Sequence, residues 1–433
     1  MSRCKQSKSC SRQVQKNCCN KNEENCDDKI SLRVTADIQT PFPEGLYDTS
    51  SITGDGRFVF IARTPDTTNP IPADQVAATI YSNNNGNLTQ LKTAPTIANF
   101  IVDGGAISTN GDIAYIVEED PNGGGQARVF NVPSLTLRTI IQLPGYDGTT
   151  GTLVGSSTIL NGKYIIANGI GSDQVTGTVY LINIISGTVV ATGQIQGRSN
   201  IGGIPFELNG DIYVAIDSTG DINSNGPFSF IIFKLSGRNL IRVTEFTIPT
   251  GTLGYNVLVR SENALIAVTT GRTNTPGVPL VAGQTPTGIA YTGEPGGLAI
   301  YKFNGDDICL TGFKTVNLGT YSFRAVAFHP CGKFVSAIIR PRFTYDSGIL
   351  VTYRLVKGKN CENNLLNQVS DCCHQYILDC QDIAITTPNT INLQYSENGK
   401  WVVASGGTFG ISPVANFSET ALYKVANDVC PKC

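Results

Sequence analysis

The sequence predicts an all-β fold, and three observations carry the prediction. Charged residues make up only 15% of the 433 residues, while Gly numbers 46 and Thr, Asn, Ile and Val are abundant, which is the composition of strands joined by tight turns. Asn-Gly, Ser-Gly and Asp-Gly steps recur with alternating hydrophobics on both sides, the short-range signature of hairpins. One phrase also returns along the body: a segment of small residues, a turn with Gly or Asn, then an alternating β-branched strand.

The phrase reads "SSITGDGRFVFIAR" from Ser50, "GAISTNGDIAYIVE" from Gly105, "SSTILNGKYIIANG" from Ser156 and "PFELNGDIYVAID" from Pro205. It continues as "NVLVRSENALIAVTT" from Asn256, "AVAFHPCGKFVSAII" from Ala325 and "NLQYSENGKWVVASG" from Asn392. The copies lie roughly 50 to 70 residues apart, the spacing of propeller blades. Each is followed by a polar loop and a second hairpin, such as residues 178–195 and 228–246, so each unit has four antiparallel strands, A to D from the axis outward. The last unit ends without a D strand, whereas "KISLRVTADI" (29–38) stands alone before the first. That strand is expected to complete the seventh blade and close the ring, leaving no exposed sheet edge at either end. The expected organisation is a Cys-rich N-terminal arm (1–28), a seven-bladed β-propeller (29–427) and a Cys-containing C-terminal tail (428–433).

The blade phrase "FHPCGKFV" (328–335) resembles the F-x-P-x-G-K-F-V repeat of the seven-bladed lactonase-like and YVTN-type β-propellers, and the resemblance covers residues 29–427. It implies the fold. Members of that group include sugar-lactone hydrolases, surface-layer proteins and interaction scaffolds, so function has to be argued from residues.

Catalytic propellers place charged groups on the inner strands and on the face crowded by B–C and D–A loops. The channel candidates are Asp48, Asp103, Asn256 and Arg324; a lactonase-like hydrolase would use Asp48, Asp103 and Arg324. His329, in the "FHPCG" turn, is read as a cap on local backbone, and His374 follows Cys373 in a connector. "DINSNG" offers Asp221, Asn223 and Asn225 in the spacing that opens a calcium loop, but position twelve is Ile232 rather than a bidentate Glu, so a solvated turn is expected and no cofactor or metal is assigned. The long B–C loops of blades 1 and 5 are rich in Pro, Thr and Gly and suit packing against protein neighbours.

A net charge of -2 gives no electrostatic case for a nucleic-acid or anionic-membrane partner. "MSRCKQSKSCSRQVQKN" lacks the apolar run of a signal peptide, and no stretch reaches the roughly 18 to 20 apolar residues of a membrane span. The expectation is a soluble chain made without a signal peptide. Thirteen cysteines are unusual for such a chain, and the odd count requires one to be free, metal-bound or joined to another chain.

Cys4, Cys10, Cys18, Cys19 and Cys26 lie in the polar arm. Cys309, Cys331, Cys361, Cys372, Cys373 and Cys380 map to the bottom of blades 5 and 6, and Cys430 and Cys433 to the tail. Ring closure would bring Cys26 beside Cys430 and Cys433. Zinc is disfavoured because only "CPKC" has knuckle spacing, and a thioredoxin-like role lacks its helix. The arm is too polar to bury a core, so the expectation is that it docks on a neighbouring copy and forms intermolecular disulfides. The chain is thus read as a non-enzymatic structural subunit of an extracellular or surface assembly, such as a filament, spore layer or virion. Its partners would be copies of itself and other surface proteins. A lactonase-like hydrolase and a soluble interaction scaffold are the alternatives.

Overall fold

A computed structural model of the chain describes residues 30–41, 47–64, 75–120, 124–143, 154–155, 158–170, 175–196, 203–218, 229–247, 254–260, 265–270, 297–315, 321–341, 347–357, 376–388, 390–407 and 417–426. Their regular structure is all strand. After β1 (Ser31–Pro41) come β2 (Tyr47–Ile52), β3 (Phe58–Thr64), β4 (Val76–Asn84) and β5 (Asn87–Pro95), which form sheet one. Sheet two holds β6 (Ile101–Ile107), β7 (Ile113–Glu119), β8 (Gly125–Asn131) and β9 (Thr136–Gln142). Sheet three holds β10 (Val154–Gly155), β11 (Tyr164–Ile170), β12 (Thr176–Asn183) and β13 (Thr188–Gln196). Sheet four holds β14 (Ile204–Leu208), β15 (Asp211–Ser218), β16 (Ser229–Ser236) and β17 (Asn239–Thr247), and its ladder runs on into sheet three through the parallel pairing Thr192–Asn239.

Sheet five comprises β18 (Gly254–Arg260), β19 (Leu265–Thr270), β20 (Gly297–Phe303) and β21 (Ile308–Thr315). Sheet six comprises β22 (Tyr321–Phe328), β23 (Phe334–Pro341), β24 (Ser347–Lys357) and β25 (Tyr376–Pro388). Sheet seven takes β26 (Thr390–Tyr395), β27 (Trp401–Gly407) and β28 (Phe417–Ala426) from the end of the chain, and its fourth strand is β1. Ser31 pairs with Ala426 and Pro41 with Phe417, antiparallel along the whole strand.

A repeated irregularity gives β1 the same place in its sheet as the other fourth strands. Each fourth strand carries one extra residue against its third strand: Leu91, Arg138, Val190, Val243, Thr311 and Gln381, and in β1 Thr35. A bulge of this kind bends its strand and increases local twist. The third-strand pair it faces is an aliphatic or Thr residue followed by a ring or Ile: Ile80-Tyr81, Val129-Phe130, Leu181-Ile182, Ile232-Phe233, Ile300-Tyr301, Thr352-Tyr353 and Leu422-Tyr423. In two bulges the same bond recurs, with Thr311 Oγ1 donating to Ile300 O at 2.9 Å and Thr35 Oγ1 donating to Leu422 O at 3.1 Å.

The core lies between sheets. Successive side chains of a strand point to opposite faces, so a strand buried on both sides divides its residues between two clusters. In β7, Ala114 and Ile116 pack with Phe60, Ile80 and Ala94 of sheet one, whereas Tyr115 and Val117 pack with Ile165, Ala167 and Tyr180 of sheet three. First strands lie beside first strands: β2 beside β6, β6 beside β10, β14 beside β18, β18 beside β22, β22 beside β26, and β26 beside β2. Polar contacts cross the seam between the end and the beginning of the chain. Asn392 Nδ2 donates to Ser50 O at 2.9 Å, Gln394 Oε1 accepts from Ile52 N at 3.1 Å, and Asn398 N donates to Gly54 O at 2.8 Å.

Candidate functional site

Second strands end in polar residues that the fold nevertheless buries: Arg63, Glu118, Glu119, Asp217, Ser218 and Thr269. Burial of charge is costly unless it is paired, so each of these ends must be satisfied locally or bind something. Sheet two shows a satisfied carboxyl on β7 and, beside it on β6, one with an unpartnered oxygen.

At the seam with sheet one, Glu118 is fully buried and takes a two-pronged bond from Arg128, with Nε at 2.7 Å from Oε2 and Nη2 on Oε1. Gln126 Nε2 donates to Glu118 Oε2 at 3.0 Å, Gln142 Nε2 donates to Gln126 Oε1 at 3.3 Å, and Arg128 Nη1 donates to Pro95 O at 2.9 Å. Burial pushes the Glu118 carboxyl up, and the Arg128 guanidinium and Gln126 amide pull it back. With its bonds spent internally, this network ties sheet two to sheet one.

Asp103 is different. The register of β6 against β7 skips between Val102 and Gly104, which makes Asp103 the extra residue of a bulge on a first strand. Its Oδ2 is sealed from solvent and has no hydrogen-bond partner. Burial, and then the charge of Glu119, hold its carboxyl well above the usual carboxylate range. A buried carboxyl pushed in this direction, with an unpartnered oxygen, suits a general acid or a hydrogen-bond donor to an anionic oxygen.

Two other sequence candidates fall at corresponding irregularities. The β18 register skips between Gly254 and Val257, a gap containing Asn256, and that of β22 skips between Phe323 and Val326, a gap containing Arg324. Asp48 lies opposite Arg63 in the regular β2–β3 ladder. The structure thus places these candidates at the first parts of first strands. The side chains of Asp48, Asn256 and Arg324 lie outside those described.

His329 occupies a turn position that is Thr53, Ser108 and Ser396 in three other sheets. In all four turns its backbone NH reaches the residue five on, and its carbonyl takes the NH three on. The Ser and Thr hydroxyls bond Asp55, Asn110 and Asn398; in the fourth turn His329 Nδ1 accepts from Cys331 N at 3.1 Å and Nε2 lies 3.2 Å from Gly399 O. Gly399 has φ +67°, and an added Cβ would stand 2.6 Å from His329 Nε2, so this close approach requires glycine.

A second carboxyl pair, which sequence reasoning missed, lies on the β1–β28 seam. Asp37 pairs with Ala421 and Gln39 with Glu419, so Asp37 and Glu419 are diagonal neighbours on one face. Glu419 is buried and its Oε2 has no partner. Burial first, then bonding and charge from Asp37, push its carboxyl up to about 8, with Gln39 pulling back. Both residues are visible in the sequence, but only the pairing of the chain's two ends makes them neighbours.

Among the cysteines, Cys331 lies in the turn between β22 and β23, packed against the cluster that contains Ile30, Leu32 and Val425, while Cys309 is in β21 and Cys380 in β25. Cys4, Cys10, Cys18, Cys19, Cys26, Cys361, Cys372, Cys373, Cys430 and Cys433 lie outside the described residues, as do Asp221, Asn223, Asn225 and His374. Among the described residues no three His, Cys, Asp or Glu side chains gather as metal ligands, and no helix is long and apolar enough to cross a membrane.

No protein-family model and no curated protein matches the chain. Among solved structures it is similar to hydrazine synthase of Kuenenia stuttgartiensis, with a TM-score of 0.54 and 13% identity over 86% of this chain and 94% of that one. Looser likenesses are to the β-propeller domain of Cps50 (Swd1) of Myceliophteria thermophila, with a TM-score of 0.49 and 8% identity over 91% of this chain and 100% of that one, and to the periplasmic gluconolactonase PpgL of Pseudomonas aeruginosa, at 0.47 and 13% over 78% and 88%. At such identities the likeness is one of fold. Together with the sheet order and the neighbouring first strands, it defines the chain as a β-propeller.

Proposed function

We propose that this chain is a seven-bladed propeller, closed by β1 in its last blade, that serves as a structural subunit of an extracellular or surface assembly such as a filament, spore layer or virion. Copies are joined by disulfides from the N-terminal cysteines, and no cofactor, nucleic acid or membrane takes part. The observation that carries the reading is the pairing of Ser31 with Ala426. It starts residues 1–29 and 427–433, which hold seven of the thirteen cysteines, from adjacent points on one edge. The spent bonds of the Glu118–Arg128 network add support, since they tie sheets together rather than face a substrate.

Protein taken from its native source, alkylated and run on gels without reductant, is expected to form a ladder that collapses to one band near 46 kDa when reduced. A monomer under both conditions would sink the cross-linking reading. Asp103, with a buried, unpartnered Oδ2 on the bulge, favours a second reading, a hydrolase of lactone-type esters in which this carboxyl assists the leaving oxygen as general acid. In that case Asp103→Asn and Arg324→Ala would abolish hydrolysis by the reduced monomer; hydrolysis that survives both changes excludes it.

A further inference from the structure

The seam between sheets seven and one changes character along its length. One end is apolar: Ile52 of β2, Val59 and Ile61 of β3 and Tyr81 of β4 pack with Trp401 and Val403 of β27 and Leu422 of β28. Side chains two residues apart on a strand share a face, so Ser50 and Thr79 follow Ile52 and Tyr81 into the seam, and Thr420 and Ser418 follow Leu422 from the other side. The registers agree, since Ile61 pairs with both Ser50 and Thr79, and Val403 pairs with Leu422. β2 brings Cα atoms within 8 Å of both β27 and β28, so the two faces meet here.

The other end of the seam is therefore lined by hydroxyls. Ser50 is 1% exposed and Thr79, Ser418 and Thr420 are 0% exposed. The hydroxyl oxygen of each is sealed from solvent and has no hydrogen-bond partner within the protein. A buried hydroxyl left unbonded gives up its bonds to water with nothing in return, and four such groups in one layer compound the cost. Other buried hydroxyls close on a partner. Ser51 Oγ, on the opposite face of β2, accepts from Ile107 N at 2.8 Å. At the seam between sheets six and seven, Ser336 Oγ lies 2.8 Å from Thr352 Oγ1 and 2.6 Å from Tyr395 OH. The four hydroxyls between sheets seven and one do not reach one another, so what bonds them has to stand between the sheets.

We propose that this layer is a binding site for ordered water, held between Ser50 and Thr79 of sheet one and Ser418 and Thr420 of sheet seven. Water both donates and accepts, as each hydroxyl does, and it enters without the cost of burying a charge. The bridged layer does at this seam what the Glu118–Arg128 network does between sheets one and two: it joins neighbouring sheets through polar bonds. It fastens the first sheet to the one built from both ends of the chain.

The test is a crystal structure of the full chain at a resolution that shows ordered water, with bromide as the halide in the crystals. The expected result is density without anomalous signal at hydrogen-bonding distance from at least one hydroxyl of each sheet. Hydroxyls that bond one another or the backbone, with no density between them, overturn the proposal. An anomalous bromide peak overturns it in favour of an anion. Thr79→Val and Thr420→Val keep the β-branched shape that strands favour, so both variants should fold. If water bonds these hydroxyls, each variant should melt about 1–3 °C below wild type, and the double variant little below either, because the shared bridge is lost only once. If the hydroxyls are unbonded, each Val removes a desolvation cost instead. Single variants that melt at or above wild type therefore overturn the proposal as well.

Discussion

Glu118 and Glu419 are both carboxylates buried between propeller sheets, and they meet burial in opposite ways. Glu118 has a guanidinium in two-pronged contact and an amide on the same oxygen. Glu419 has only Gln39 to favour its charge, while Asp37 opposes it, so it holds a proton to about pH 8. A buried carboxyl is therefore an interlock where a cation reaches it and a proton store where none does. The choice is made by its cross-strand neighbours.

The largest expected effect comes from making the first site resemble the second. Arg128→Ala leaves Glu118 uncompensated and should cost about 3–5 kcal/mol in denaturant unfolding. Replacing Glu118 and Arg128 together by Met and Leu should cost less than that single change. If the double replacement costs as much as the sum of the singles, the interlock account is wrong.

Next is Glu419→Gln. The folded carboxyl keeps its proton to about 8, whereas an unfolded one loses it near 4.5, so the folded state binds more protons between these values. Stability should fall as pH rises through that window and level off above it. Glu419→Gln should remove this slope and stabilise the protein at pH 8 by roughly 1–3 kcal/mol. Melting curves from pH 4 to 9 check it, and an unchanged slope rejects the assignment. Asp37→Asn should act in the same direction with a smaller gain, because it removes the charge but leaves the burial. Smallest of all, Thr311→Val should cost about 1 kcal/mol with no pH dependence, since it deletes one buried hydroxyl bond to Ile300 O. That variant is the control for effects of strand geometry unrelated to charge.

Much of the architecture was legible in local chemistry. The recurring phrase marks the first two strands of most sheets, and the turn dipeptides mark the hairpins after them. The third sheet departs from the phrase, because β10 is only Val154–Gly155 and Leu160 makes an isolated bridge to Tyr164. A further signal was present but unread: "TIYS", "RVFN", "IIFK", "AIYK", "VTYR" and "ALYK" mark the third strands where they face a bulge. Of the site candidates, Asp103, Asn256 and Arg324 were found as polar residues at the inner strands expected to line the channel. The bulges that contain them have no signal in any single strand, because a bulge is a mismatch between two.

By itself, the sequence determined what alternation and turn chemistry can encode over a dozen residues: strands, hairpins, their repetition, and an unpaired first strand matching an incomplete last unit. Tertiary structure alone decided which buried carboxyls have a cation, since Arg128 reaches Glu118 across two strands while Asp37 and Glu419 meet only where the chain's two ends pair. The reason is that side-chain direction follows register, and one extra residue in one strand reverses it, so facing groups are set by pairs of strands and never by one.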